Sequence, residues 1–574
     1  MGKRILVIGG VAGGASAAAR CRRLDENAEI IMFERGPVVS FSNCCLPYHI
    51  SGLVEQEENL ILMTPEKFKN QYKIEAQVNS NVISVDTDAK TVQVEDTITK
   101  EVRTEKYDAL VISPGADAIV PPFKGIDKID NFVLKTVPDV SKIMKFVAAK
   151  NPKHITVVGG GFIGLEAAEN LREKGIAVTL IEGTNQIIPF VDREMSYFGQ
   201  AEMVKNGIEI VLEDLVEGFD TRKVLLKSGR EIETDGVILG IGVRPSTAFL
   251  KDSGVELTDR GYIVTDENYQ TTAKDVYAAG DAILVRNQLT GNLMPLAMAG
   301  PANKQGRLIA DRINGREIVN KGYIGTGVVK LFDMHLASTG LSEKMLKDSG
   351  IDYEVVYAAP PGIVGIMPGA HLVFSKLIFE KGSGRVLGAQ FATTGASDKR
   401  ADVIATAIKA NMTVEDLYDL ELSYAPPFGT GKDVVNKIGY IGSNLNEGAF
   451  KQVTFMEVYD LLKAGEQVID VREVCEFESG RVKGTINIPM SEMRERLDEL
   501  DKSRPVYVHC RTGERSYNMT LMLQANGFDV KNIAGSYEFI KMYEGVSCYN
   551  DETRENIMLG DCSVGCCRSI EVKM

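Results

Sequence analysis

The chain has 574 residues, 44% of them hydrophobic, and at ~100 to 200 residues per domain this predicts three to five domains, each able to bury a core. No run approaches the ~18 apolar residues of a membrane span, and the apolar stretch 5–10 is shorter than a secretory signal core, so a soluble, cytoplasmic protein is expected. A net charge of −14 without a long basic block argues against nucleic acid and anionic membranes as partners, because both are bound largely through Lys and Arg.

Residues 3–8 read as a buried parallel strand. Gly9-Gly10-Val11-Ala12-Gly13-Gly14 then turns into an Ala-rich helix over 15–23, and a second strand, 30–33, ends at Glu34 and Arg35. This is a βαβ dinucleotide unit, in which glycines let backbone amides approach a pyrophosphate at a helix N-terminus and the acid binds a ribose hydroxyl. Val11 stands in place of the middle glycine, so this copy is an imperfect fingerprint. About 30 residues on comes SFSNCCLPY, 40–48. Ser, Asn and Tyr around Cys44 supply polar atoms that can stabilise a thiolate. A disulfide between the adjacent Cys44 and Cys45 would be a strained ring, so one cysteine is expected to act alone. On the first helix Ser16, Arg20 and Arg23 recur at i, i+4 and i+7 and share a face, with Ser40 and Asn43 beside Cys44; the spacing suits a cationic ligand site or a solvated face.

A second unit starts at HITVV, 154–158, turns through Gly159-Gly160-Gly161-Phe162-Ile163-Gly164, runs into a helix over 165–174 and ends its second strand at Glu182. This copy is complete, and two fingerprints in register point to two dinucleotides. Glu182 is followed by Gly183-Thr184-Asn185, a carboxylate for a ribose 2′-hydroxyl with no Arg nearby for a 2′-phosphate, which favours NADH over NADPH.

With Ser113-Pro114-Gly115-Ala116 and the segment 272–281 that ends in Gly280-Asp281, the chain from 1 to about 445 resembles the flavin-dependent pyridine nucleotide-disulfide oxidoreductases. The resemblance implies an α/β protein with two Rossmann-like domains and an α+β dimerisation domain. FAD would be held by residues 1–115 and 240–321, through Gly9, Gly10, Ala12, Gly13, Gly14, Glu34, Arg35, Ser113, Pro114, Gly115, Gly280 and Asp281. NAD(P)H would be held by 116–239, through Gly159, Gly160, Gly161, Phe162, Ile163, Gly164 and Glu182, with Phe162 either packing the helix entry or shielding the flavin. Residues 322–445 would make a homodimer.

SFSNCCLPY also resembles the single-cysteine branch of that family and, within it, the coenzyme A-disulfide reductases, whose pattern makes Cys44 the nucleophile and Cys45 a small filler. That likeness implies coenzyme A contacts at Ser16, Arg20, Arg23, Ser40, Asn43, Asn303, Arg307 and Lys432, and Tyr424 as proton donor to Cys44 of the partner subunit. Three positions depart from the pattern. NADH oxidases and peroxidases of the branch carry a His where this chain has Ala12, which demotes that activity to an alternative. A Lys expected after TPEKF is Tyr72, with Lys73 as its substitute. The stretch 365–370 lacks a phenol, which bears on reduction of the bulky coenzyme A disulfide more than on a smaller persulfide.

After a polar linker the pattern restarts as a separate α/β domain, 446–550, with a tail at 551–574. A strand, 506–509, leads into Cys510-Arg511-Thr512-Gly513-Glu514-Arg515-Ser516. A cysteine at a strand end, ahead of a Gly-containing loop and a helix, sits among converging amides that stabilise an anionic thiolate or persulfide. Tyrosine phosphatases need five residues between Cys and Arg; here four intervene, and the loop resembles single-domain rhodaneses. Nine cysteines at irregular spacing do not read as a secreted disulfide framework. Cys21, Cys475 and Cys548 read as structural. Cys562, Cys566 and Cys567 make a weak zinc argument without a fourth ligand; with five His and no Trp, no metal is expected.

The whole chain resembles a coenzyme A-disulfide reductase fused to a rhodanese, a family also described as coenzyme A-persulfide or polysulfide reductases. The implied reaction passes electrons from NADH through FAD to Cys44, while Cys510 hands sulfane sulfur to coenzyme A and sulfide is released. The substrates would be small persulfides, disulfides or polysulfides. A persulfide carrier or sensor is the alternative from another class.

Overall fold

The computed structural model describes residues 2–560, so Cys562, Cys566 and Cys567 lie outside the described residues. It divides into two compact units. One takes in the chain up to Val178 together with Val216–Tyr323; the other takes in Thr179–Leu215 and the chain from Ile324 onward. Among the described residues no helix is long and apolar enough to cross a membrane.

The first unit is built on a parallel sheet in the order Val276–Ala278, Ala109–Ile112, Arg4–Ile8, Glu29–Phe33, Glu75–Gln77. The runs ILVI, IIMF and ALVI have no polar alternation because the sheet is covered on both faces, and Ile5, Leu6, Val7, Leu110 and Val111 are fully buried. The helix Ala12–Leu24 starts three residues earlier than the sequence predicts, inside the fingerprint. Its small residues are what permit this: a Cβ on Gly14 would stand 1.9 Å from the Gly9 carbonyl oxygen, and one on Gly306 of the facing helix Ala299–Ile313 would stand 2.2 Å from that of Gly13.

The second fingerprint repeats this geometry. Its helix, Phe162–Glu173, also starts early, and a Cβ on Gly164 would stand 1.9 Å from the Gly159 carbonyl oxygen. Gly9 and Gly159 both take positive φ, +93° and +110°, a conformation that side chains resist. The middle position does not need it: φ is −103° at Val11 and −83° at Gly161. Val11 is therefore tolerated, and the apparent imperfection of the first copy carries no structural cost. Strands His154–Val158, Gly236–Leu239 and Asn131–Phe132 pair in parallel behind the second turn.

The second unit holds an antiparallel sheet in the order Thr326–Leu331, Met334–Gly340, Val386–Thr393, Phe374–Glu380, Tyr353–Ala358. It also holds a parallel one in the order Lys451–Thr454, Val530–Ala534, Val506–His509, Gln467–Asp470, Ile486–Asn487. An aromatic seam joins the two sheets: Tyr357 meets Phe455 and Phe539, and Phe374 meets Phe539, with ring centroids 5.1 to 5.7 Å apart. Such pairs are worth about 0.5–1.5 kcal/mol each beyond area burial, which fixes the C-terminal layer on its neighbour. Beside the seam Lys376 is fully buried, its Nζ 2.7 Å from Asp192, 2.5 Å from Glu194 and 2.6 Å from Glu343. These carboxylates converge closely enough to hold a cation, and the lysine ammonium supplies it.

Candidate active sites

The first fingerprint, Ser113 and Gly280 come together as one cradle. A Cβ on Gly9 would lie 2.0 Å from the Ser113 carbonyl oxygen, one on Gly13 would lie 2.6 Å from Ser113 Oγ, and one on Gly280 would lie 3.4 Å from the same Oγ. Glu34 accepts hydrogen bonds from the Gly10 and Gly36 amides, both at 3.0 Å, which aims its carboxylate at the turn. Arg35 pairs with Asp117, Gly115 takes φ +71°, and Asp281 is 3.3 Å from Lys135 Nζ. No side chain caps the helix at Val11, which suits its first amides and dipole to an anionic group such as a pyrophosphate. This glycine-walled cradle with an acid at the next strand end fits FAD. The second turn has the same uncapped helix start, at Gly161, and fits the pyrophosphate of NAD(P)H; Glu182, in the other unit, accepts a 2.8 Å hydrogen bond from the Thr184 amide.

Cys44 sits exposed on the short turn Asn43–Cys45, with Cys45 half-buried. It opens onto a cavity of about 440 Å³ whose walls include Ser16, Arg20, Arg23, Ser40, Asn43, Asn303 and Arg307. Seven of the eight expected coenzyme contacts thus face one space within the first unit. Ser16 Oγ donates to Asn303 Oδ1 at 2.6 Å, and Arg20 is committed to Asp311 at 2.7 Å, which leaves Arg23 and Arg307 as the cations of the wall with the freest charge. The Arg23 guanidinium lies 5.7 Å from the centre of the Tyr72 ring. Lys73 does not replace the expected lysine, because its ammonium pairs with Glu26 and it is no part of the cavity wall. Lys432 and Tyr424 belong to the second unit, where Tyr424 is 54% exposed and Lys432 Nζ lies 5.8 Å from the Tyr440 ring.

Glu166 was not singled out by any motif, yet it is the charged group that weighs most on Cys44. The helix Leu46–Ser51 that follows Cys44 packs on Phe162–Glu173, where Ser51 Oγ donates to Asn170 Oδ1 at 2.7 Å. Burial, then the field of Glu166, pushes the Cys44 thiol up, against an opposing pull from Lys135. Burial and the neighbouring Glu169 push Glu166 itself up to about 7, and burial with Glu166 holds Tyr48 up at about 12. The i, i+3 pair of acids, Glu166 and Glu169, on the helix of the second fingerprint was the available signal. Because the folded-state value of Glu166 lies above its ordinary 4.5, its contribution to stability is complete below about pH 4.5 and is lost as pH rises through about 7. Glu166→Gln is therefore expected to raise the melting temperature more at pH 8 than at pH 5, and to speed alkylation of Cys44 at pH 8 by about 3-fold, since a like charge beside the thiolate is gone. An unchanged melting difference between the two pH values would count against a buried, ionising Glu166.

Cys510 ends the strand Val506–His509 and is buried. Its Sγ accepts from the Gly513 amide at 3.1 Å, with Gly513 at φ +109° ahead of the helix Glu514–Ala525. Both loop guanidiniums are paired with acids: Arg515 makes a two-pronged pair with Glu476 at 2.6 and 2.8 Å, and Arg511 meets Glu538 at 2.8 Å. The Arg515 pair holds the Glu476 carboxyl below its usual range. Under the loop, Arg472 pairs with buried Asp470 at 2.7 Å and lies 3.8 Å from the Tyr537 ring centre, while the Tyr537 amide donates to the Cys510 carbonyl at 3.0 Å. Thr512 and Glu514 complete the loop. Of the thiols expected to be structural, Cys21 is fully buried, its thiol pushed up to about 12 chiefly by desolvation. Cys548 is half-buried, and Cys475 is exposed on the short helix Val474–Ser479, so Cys475 is not the packed thiol the sequence suggested.

Two glycine cradles for dinucleotides and a thiol at a basic cavity define a nucleotide-dependent thiol oxidoreductase, here joined to a second thiol in a glycine-containing loop at a helix start. Residues 3–301 match the pyridine nucleotide-disulphide oxidoreductases, 326–433 match the dimerisation domain of that family, and 454–542 match the rhodanese-like domain. The chain belongs to the pyridine nucleotide-disulphide oxidoreductase family, whose members use FAD and NAD(P)H, and carries a rhodanese domain. It is similar to the coenzyme A disulfide reductase of Staphylococcus epidermidis, with 33% identity over 443 residues that cover 76% of this chain and 99% of the relative. Among solved structures it is similar to reduced Bacillus anthracis CoADR-RHD, with 44% identity, a TM-score of 0.92 and coverage of 95% of this chain and 98% of the other. It is also similar to an NAD-dependent persulfide reductase from A. fulgidus, with 34% identity, a TM-score of 0.88 and coverage of 93% and 99%.

Proposed function

We propose that this protein reduces persulfides and disulfides of coenzyme A, and polysulfides that reach it through coenzyme A, at the expense of NADH. The observation that carries this reading is the cavity at Cys44, whose wall sets Arg23, Arg307, Ser16 and Asn303 around a single nucleophile. Guanidiniums suit the coenzyme's phosphates. The exposed Cys44 suits attack on a sulfur at the end of a pantetheine arm. Bound FAD supplies two-electron transfer between NAD(P)H and the sulfur on Cys44. Attack by the Cys44 thiolate on the substrate S–S bond leaves a mixed disulfide or persulfide on Cys44 and expels a thiolate or sulfide. Tyr424 of the partner subunit protonates that leaving group in a homodimer, and its exposure supports such a role. Two electrons and a proton then restore Cys44.

Glu182 favours NADH, because its carboxylate suits a 2′-hydroxyl and repels a 2′-phosphate. The six described cysteines are all free, in keeping with a reducing, cytoplasmic setting. Mixing the holoenzyme with NADH and coenzyme A persulfide without oxygen is expected to consume one NADH for each sulfide released, with NADPH used less efficiently. NADH consumption that requires oxygen or peroxide instead would support the oxidase or peroxidase reading and overturn this one.

A further inference from the structure

We propose that Ser536 is a hydrogen-bond donor to the Cys510 thiolate and a working part of the sulfur-transfer site. The inference rests on the reading of Cys510 as the sulfur carrier. Ser536 lies 26 residues from Cys510 in sequence, its side chain is fully buried, and its Oγ stands 4.0 Å from Cys510 Sγ, within reach of a hydrogen bond to sulfur. The same Oγ accepts from the Cys510 amide at 3.3 Å. It also lies 3.4 Å from the Ile533 carbonyl and 3.4 Å from Ser516 Oγ, while Ser516 Oγ is 3.1 Å from the Gly513 carbonyl that closes the loop.

A serine hydroxyl has one proton to give. With Cys510 as a neutral thiol, that proton is best placed on the Ile533 carbonyl. With Cys510 as a thiolate, rotation of the hydroxyl about the Cβ–Oγ bond turns it to Sγ with Oγ held in place, and Sγ then has two donors, Ser536 Oγ and the Gly513 amide.

The backbone indicates that the hydroxyl is kept for a purpose. Ser536 takes φ +55°, directly after Gly535 at φ +84°, so a residue with a side chain occupies a conformation that glycine would adopt freely. The surroundings hold it there: the Gly535 amide donates to the Tyr357 carbonyl at 3.2 Å, and the Tyr357 hydroxyl is itself bonded to buried Glu194 at 2.9 Å. The cradle of Cys510 is thus pinned from the neighbouring antiparallel sheet.

In the loading step the Cys510 thiolate attacks the outer sulfur of a donor R–S–S⁻. The new S–S bond forms as the old one breaks, RS⁻ leaves with the electron pair, and charge and oxidation level are unchanged overall. In discharge to an acceptor thiolate, Cys510 thiolate is the leaving group. Ser536 stabilises that anion at both points.

The test compares full-length holoenzyme with Ser536→Gly, Ser536→Ala and Cys510→Ser, scoring sulfur transfer from thiosulfate to cyanide as thiocyanate formed. Alkylation of the Cys510 peptide is followed across pH by mass spectrometry. Both Ser536 variants are expected to lose about 10-fold in transfer, the lower end for one hydrogen bond to a charged group, and to shift the alkylation profile to higher pH. Both variants leave the Cys510 amide without its acceptor, but only Ser536→Gly relieves the positive φ, so it should melt above Ser536→Ala; an equal loss of transfer in two variants of different stability separates lost chemistry from lost structure. Wild-type transfer and an unshifted profile in Ser536→Gly, with Cys510→Ser inactive, would overturn the role of Ser536 alone. Undiminished transfer by Cys510→Ser would overturn the carrier reading, and this inference with it.

Discussion

Replacing Cys44 with serine lowers NADH-dependent reduction of coenzyme A persulfide by on the order of 10³-fold or more, the scale set by loss of a nucleophile that forms a covalent intermediate. An alcohol at that position cannot form the S–S bond through which substrate and electrons meet. The neighbour offers no substitute: Cys45 is half-buried and is no part of the cavity wall that includes Cys44. Cys45→Ser should therefore stay within about 3-fold of wild type. The flavin absorbance of purified Cys44→Ser reports on whether the cradle at Gly9, Ser113 and Gly280 still folds and loads, and it is expected to match wild type. A Cys44→Ser protein that turns over at the wild-type rate would sink the assignment of the nucleophile, and a Cys45→Ser protein with the larger loss would transfer the role to the neighbour.

What could be read in advance divides along the range of the forces involved. The two dinucleotide turns were legible because a positive φ at Gly9 and Gly159, and the missing Cβ at Gly14 and Gly164, are local demands that leave a fixed spacing in the chain. The helix face of Ser16, Arg20 and Arg23 was legible for the same reason, since 3.6-residue periodicity is local. Partner choice was not. Arg20 spends its charge on Asp311, 291 residues away, and Lys73 spends its charge on Glu26. The charge balance at Cys44 depends on Glu166, which is brought there by packing between the helices Leu46–Ser51 and Phe162–Glu173. Lys376 with its three acids and Ser536 behind Cys510 leave no local pattern either, because each is defined by elements far apart in the chain. The fold and the candidate nucleophiles were thus legible from local pattern, whereas the groups packed around those thiols required the tertiary structure.

Replacing Cys510 with serine separates the two chemistries. With an inorganic sulfane donor and catalytic coenzyme A, NADH oxidation is expected to fall by on the order of 10²-fold, because no thiolate remains in the Gly513 loop to accept the sulfur. With preformed coenzyme A persulfide the rate should stay within about 2-fold, because that substrate enters at Cys44 without the second thiol. The aromatic seam gives this contrast its physical basis. Phe455 and Phe539 of the rhodanese domain pack on Tyr357 and Phe374, so the Cys510 loop is fixed on its neighbouring sheet and is not free to travel; in the proposed scheme coenzyme A carries the sulfur. Tethering donor and acceptor sites in one chain raises the effective concentration of that carrier. The dependence on coenzyme A is therefore part of the prediction: wild-type enzyme given inorganic donor alone should be slow until micromolar coenzyme A is added, and Cys510→Ser should not respond to the addition. Equal losses on both substrates would show that Cys510 does not act upstream of coenzyme A, and wild-type rates without any coenzyme A would show that sulfur reaches Cys44 by another route.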